Sequence, residues 1–136
     1  MKLLIIEDSP LVRQMYRLAF SAREHDLVEA GNGLEALDAL ATASDPFHVI
    51  LLDLRMPDMD GVTFLRTVRR TALFRDIPNI VTTSEPDSSE LLQEARALGI
   101  DAVVKKPWKP QELLDAVQSV GAANPRQGPE QDGQAR

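Results

Sequence analysis

The sequence predicts an α/β protein: a parallel sheet of five strands with helices on both faces. Three observations carry this. Short strand-like and longer helix-like segments alternate five times, the pattern of consecutive βα units. Two apolar runs, residues 3–6 and 49–52, lack any polar alternation, as strands buried on both faces do. Each run ends in acid, Glu7-Asp8 after the first and Asp53 after the second, as expected where a buried strand reaches solvent.

The chain has 136 residues, enough for one domain with its own core. Apolar residues make up 43%, which fits a globular chain. The absence of cysteine excludes disulfides, thiolate metal sites and a cysteine nucleophile. A formal net charge of -6 argues against broad attraction to nucleic acid or anionic lipid. The apolar start stops at Glu7-Asp8, too early for a secretory signal, and no stretch is long enough to span a membrane. The expectation is a soluble, cytoplasmic protein with no direct nucleic-acid or membrane partner.

The elements follow in order. After the first strand, Ser9 fits a helix N-cap with Pro10 at the first helical position. Leu11, Met15, Leu18 and Ala19, with Ala22, give that helix an apolar stripe expected to face the core. Residues 26–30 form a short second strand, and Gly31-Asn32-Gly33 turns into a helix over 34–43 with Leu37, Leu40 and Ala41 on one face. Asp45-Pro46 stops it. The third strand, ending at Asp53, is broken by Met56-Pro57. Asp60-Gly61 is a turn signal leading into a helix over 62–70 that buries Phe64, Leu65 and Val68. Residues 80–83 form the fourth strand. Asp87 or Ser88 caps the next helix, which turns Leu91, Leu92, Ala95 and Leu98 inward and ends at Gly99. Residues 102–105 form the fifth strand, ended by Lys106-Pro107. Pro110 opens the last helix, apolar at Leu113, Leu114, Val117 and Val120. Residues 121–136 contain Pro125 and Pro129 and no large apolar residue, so they are expected to be a disordered tail or linker stump beyond a domain of residues 1–120.

Consecutive βα units do not fix the strand order. The common five-stranded solution is the flavodoxin-like order 2-1-3-4-5, which is the order expected here. It gathers the carboxyl ends of strands one, three, four and five. Those ends deliver Glu7 and Asp8, Asp53, Thr83 and Ser84, and Lys106. Crowded carboxylates raise one another's pKa unless a divalent cation offsets them. Mg²⁺ fits, being hard, oxygen-loving and content with one or two carboxylates plus waters and phosphate oxygens. An aspartate, a hydroxyl and an ammonium around such an ion point to phosphoryl transfer, and aspartate is a known nucleophile for it.

Four motifs stand in this order: Ile5-Ile6-Glu7-Asp8-Ser9-Pro10, the run from Leu51 to Gly61 with its Asp53, Thr82-Thr83-Ser84, and Val104-Lys105-Lys106-Pro107. Together they resemble those of response-regulator receiver domains of two-component signalling, over about residues 1–120. The resemblance implies that Asp53 is the phosphoacceptor, served by a sensor histidine kinase or a histidine phosphotransfer protein. It implies that Asp8, Asp53 and the backbone carbonyl of Arg55 hold Mg²⁺, with Glu7 acting through water. Thr83, five residues after Pro78, corresponds to the switch hydroxyl. Lys106, seven after Gly99, corresponds to the lysine that pairs with the phosphoryl group, and its bond to Pro107 is expected to be cis. Such a domain is not an enzyme in the ordinary sense, because it catalyses only its own phosphorylation and dephosphorylation. Its output is a change in binding to a downstream protein, not identified by the sequence, at the face of the fourth helix, fifth strand and last helix.

The chain departs from the family pattern in places. Val103 stands where a switch aromatic is usual, Glu7 where Asp is more frequent, Trp108 where Phe is usual, and bulky Arg55 lies two residues after the phosphoacceptor. Val103 keeps open a second reading, a pseudo-receiver that binds a partner without phosphorylation. A third, a Toprim-like metal enzyme, would use Glu7 with Asp58 and Asp60; the Pro-broken loop around them makes turn formation the expected role. The chain is expected to be either a stand-alone receiver or one cut from a longer protein.

Overall fold

The computed structural model describes residues 1–21, 25–56 and 58–123. Five strands alternate with five helices: β1 (Lys2–Ile6), α1 (Pro10–Ala19), β2 (Asp26–Ala30), α2 (Gly33–Thr42), β3 (Val49–Asp53), α3 (Gly61–Arg70), β4 (Asn79–Thr83), α4 (Glu90–Leu98), β5 (Ala102–Lys105) and α5 (Pro110–Ala123). All pairings are parallel and the order is β2-β1-β3-β4-β5, as the sequence predicts.

Alternation along the strands divides the core in two. Leu4, Ile6, Ile50, Leu52 and Val81 pack with Ala36 and Leu40 of α2, Phe64 and Leu65 of α3, and Leu92 of α4. Leu3, Ile5, Val49, Leu51 and Ile80 face the other way, onto Tyr16 of α1 and Leu113 and Val117 of α5. β1 over residues 3–6 and β3 over residues 49–52 are therefore apolar on both sides, and β3 is buried from end to end.

Local signals set the helix starts. Ser9 caps α1 by accepting from the Val12 N–H, with Pro10 in the first turn. Asn32 and Asp60 cap α2 and α3 in the same way. Gly61 has a steric reason to be glycine: a Cβ there would lie 2.4 Å from the Asp53 carbonyl oxygen and 2.7 Å from Leu54 Cα. The start of α3 is thus drawn tightly against the end of β3, with the Gly61 N–H on the Leu54 carbonyl at 2.9 Å.

Four expectations need correction. The stripe of Leu11, Met15 and Leu18 on α1 faces outward, with Leu11 and Leu18 each 68% exposed. The buried side carries Tyr16, Ala19 and Phe20. Both stripes have helical period; the aromatic one wins because it buries more area and because the Tyr16 hydroxyl finds a partner inside. Ala22 lies outside the described residues. On α2 the inward residues include Ala36 rather than Ala41, which is exposed. The cap of α4 is Ser89, which accepts from the Leu92 N–H, rather than Asp87 or Ser88. Finally, α5 runs past residue 120 to Ala123. The rest of the expected tail, residues 124–136, lies outside the described residues, as does Pro57 of the loop after β3.

Candidate functional site

The strand order brings four carboxyl ends to one edge. Ile6 is the register partner of Leu52, Asp53 of Thr82, and Thr83 of Lys105. Backbone bonds extend the alignment past the strands: the Glu7 N–H reaches the Ala30 carbonyl at 3.0 Å and the Lys106 N–H the Thr83 carbonyl at 2.8 Å. Glu7, Asp8, Asp53, Thr83 and Lys106 are the residues that emerge there.

The three acids converge. Carboxylate oxygens of Glu7, Asp8 and Asp53 lie within 4.8 Å of one another. Glu7 and Asp53 are buried and Asp8 is exposed, so the group opens to solvent on one side. Lys106 reaches in from the end of β5, with Nζ 2.8 Å from Glu7 Oε1 and 3.5 Å from Asp53 Oδ1. Its peptide bond to Pro107 is cis. The second Glu7 oxygen accepts from the Ser9 N–H at 3.2 Å.

The electrostatics show what this crowding does. Burial and the Glu7 charge push the Asp53 carboxyl from 3.8 up to about 6, against the opposing pull of Lys106 and the Arg55 backbone N–H. Burial works to lower the Lys106 ammonium, yet its bond to Glu7 and the charges of Asp53 and Glu7 leave it raised. One ammonium thus serves two buried carboxylates incompletely. A hard divalent cation would relieve the repulsion, and three convergent oxygen donors with one open side are the donor set that Mg²⁺ takes. The residues present therefore fit that ion.

Thr83 is buried at the end of β4, its hydroxyl accepting from the Glu85 N–H at 3.0 Å. Thr82, the residue before it, bonds to the Tyr16 hydroxyl at 2.7 Å in the core. Tyr16 in turn packs on Trp108, ring centres 5.0 Å apart. Val103 is half-buried in β5, so no aromatic ring occupies that position. Asp60 caps α3, and Asp58 takes a left-handed backbone with φ 68° beside Asn32. Neither joins the acidic group among the described residues.

Two features were missed by sequence reasoning. The Tyr16–Thr82 bond spans 66 residues and has no local signature. The Arg55–Glu85 ion pair links the loops after β3 and β4. Its signal was available: opposite charges just beyond the ends of neighbouring strands.

A parallel 2-1-3-4-5 sheet with acids at the ends of its first and third strands, and a Lys-cis-Pro after its fifth, defines a class, and the sequence bears it out. The chain belongs to the response-regulator receiver-domain family, which it matches over residues 3–118. Members of this family are modules of two-component signalling. Among individual proteins the chain is similar to a chemotaxis protein CheY homolog of Campylobacter jejuni, 32% identical over 88% of this chain and 92% of that one. It is also 32% identical to chemotaxis protein CheY1 of Helicobacter pylori, over 91% of this chain and 99% of the relative. The structure resembles that of the chemotaxis response regulator CheY4 of Vibrio cholerae, with a TM-score of 0.78 and 34% identity, covering 88% of this chain and 97% of that one. Among the described residues no helix is long and apolar enough to cross a membrane.

Proposed function

We propose that this chain is a cytoplasmic phosphoacceptor: Asp53 takes a phosphoryl group from a histidine of a sensor kinase or phosphotransfer protein, and the modified domain changes its affinity for a downstream protein. The observation that carries this is the position of Asp53, buried at a strand end within 4.8 Å of two other carboxylates and 3.5 Å from Lys106. An Asp53 oxygen attacks phosphorus, the P–N bond to the donor imidazole breaks, and the imidazole leaves, taking its proton from solvent. Asp8, Asp53 and the backbone carbonyl of Arg55 would hold Mg²⁺, with Glu7 acting through water. When bound, the ion offsets charge on the transferring oxygens.

The chain's own residues do the rest. Lys106 supplies a fixed ammonium for a phosphoryl oxygen. Glu7 holds that ammonium in place before transfer. The Thr83 hydroxyl turns to the new oxygens, giving up the Glu85 N–H. The loop after β4 then shifts, and the face made by α4, β5 and α5 changes. A modest bias between two existing states is sufficient.

Incubation with acetyl phosphate and Mg²⁺, read by intact mass, tests the reading. One phosphoryl addition to the wild type and none to Asp53→Asn is expected. Addition that survives the substitution would remove Asp53 from its role. Val103 favours the second reading, a binding module indifferent to phosphate, which predicts no addition in either protein.

A further inference from the structure

At the mouth of the pocket, two loops are tied by the Arg55–Glu85 pair. Arg55 Nε contacts one Glu85 carboxylate oxygen, and Nη2 lies 3.4 Å from the other. Glu85 is held on three further sides. Its N–H donates to Thr83 Oγ1 at 3.0 Å, its Oε1 accepts from Ser89 Oγ at 2.7 Å, and its carbonyl accepts from Lys105 Nζ at 2.6 Å. Ser89 is the N-cap of α4 and accepts from the Leu92 N–H. One residue therefore joins the loop after the acceptor aspartate, the hydroxyl at the end of β4, the edge strand β5 and the first turn of α4.

We propose that the Arg55–Glu85 pair is a latch that holds the N-terminal end of α4 in its resting position, and that a phosphoryl group on Asp53 opens it by competing for Arg55. This rests on the phosphoacceptor reading above. The Arg55 backbone N–H already donates to the Asp53 carboxylate, so its side chain leaves the main chain beside the acceptor. That side chain is 72% exposed, and an exposed pair holds only modestly. A guanidinium fork suits a phosphoryl group as well as a carboxylate, and a phosphoryl group carries charge near -2 against the single charge of Glu85.

Phosphorylation acts on Glu85 twice. It draws away Arg55, and it draws away the Thr83 hydroxyl that accepts the Glu85 N–H. Glu85 keeps its bond to Ser89, so the loop and the first turn of α4 are released as a unit. This route from pocket to α4 needs no ring at position 103, where this chain has Val103.

The test follows the amide NMR signals and hydrogen exchange of residues 85–92 in the full chain with Mg²⁺, before and after acetyl phosphate, with phosphoryl addition checked by intact mass. Wild-type signals are expected to shift on phosphorylation. In Glu85→Gln, which keeps an acceptor for Ser89 but loses the ion pair, unphosphorylated signals should already lie most of the way to the phosphorylated positions. Ser89→Ala leaves the Arg55–Glu85 pair but cuts the bond by which Glu85 holds the first turn of α4, so the amides of residues 90–92 should already move toward their phosphorylated positions while those of 85 and 87 rest where the wild type has them. The latch is overturned if Glu85→Gln rests where the wild type rests and moves as far on phosphorylation. It is equally overturned if Ser89→Ala leaves the amides of residues 90–92 no nearer their phosphorylated positions, since Glu85 would then not be what holds the helix start. Wild type that gains a phosphoryl group without any shift at 85–92 removes the latch and leaves the phosphoacceptor reading intact; no gain at all removes both.

Discussion

The two ends of the sheet handle charge differently. At the amino end, Lys2 Nζ donates to the Asp45 carbonyl at 3.0 Å and sits 4.7 Å from the centre of the Phe47 ring, while the Lys2 N–H donates to His48 Nδ1 at 2.9 Å. Each contact is favourable and local. At the carboxyl end, Glu7, Asp8 and Asp53 crowd together and share Lys106. Between them lies a buried body that is wholly apolar over residues 3–6 of β1 and 49–52 of β3 and carries Ile80 and Val81 from β4. The fold needs the body and tolerates either end. Crowded like charges at one end stabilise nothing in the metal-free chain, and such local conflict marks a functional site.

Substitutions at the body and the two ends sharpen this contrast. The largest effect belongs to the body: Leu51→Ala, in fully buried β3, should cost about 3 kcal/mol in denaturant unfolding. Next is the buried hydroxyl pair. Tyr16→Phe strands the Thr82 hydroxyl and should cost about 1–2 kcal/mol, and adding Thr82→Val should recover part of that. A full loss in the double variant would show that the bond is not what holds the site.

The site end should respond with the opposite sign. The folded-state pKa of Asp53, about 6, lies above its ordinary 3.8. The stability this group contributes is therefore present below pH 4 and lost as pH rises through about 6. Asp53→Asn should thus stabilise the metal-free protein by about 1 kcal/mol at pH 7, after allowance for solvent screening. The gain should shrink toward pH 4 and on adding Mg²⁺. At the amino end the smallest effect is expected. Burial and the neighbouring N-terminal charge lower the His48 pKa below 6.5. Its neutral form supports folding fully above pH 6.5, and that support fades as pH falls through the lower folded value. Comparison with His48→Gln in urea melts at several pH values should isolate a shallow slope there.

The fold was legible because β1 and β3 have no polar alternation and because Ser9, Pro10, Asp60 and Gly61 punctuate the helices where propensity alone is ambiguous. The gathering of Glu7, Asp8, Asp53, Thr83 and Lys106 at one edge followed from the strand order alone. The face of α1 was not legible: Leu11, Met15 and Leu18 have the same period as Tyr16 and Phe20, and only tertiary packing chooses between them. The Tyr16–Thr82 bond escaped for the same reason, since it depends on which way α1 turns. The cap of α4 slipped by a residue or two because Asp87, Ser88 and Ser89 are all competent caps, and Ser89 also has Glu85 to hold it.

The most direct measurement locates the phosphoryl group itself. Protein treated with acetyl phosphate and Mg²⁺, reduced with borohydride and digested, should yield a peptide with homoserine at position 53, because only an acyl phosphate is reduced in this way. Homoserine at another aspartate, or phosphate retained on a serine, threonine or histidine with Asp53 unchanged, would contradict the assignment of this edge as the place where Asp53 receives phosphorus.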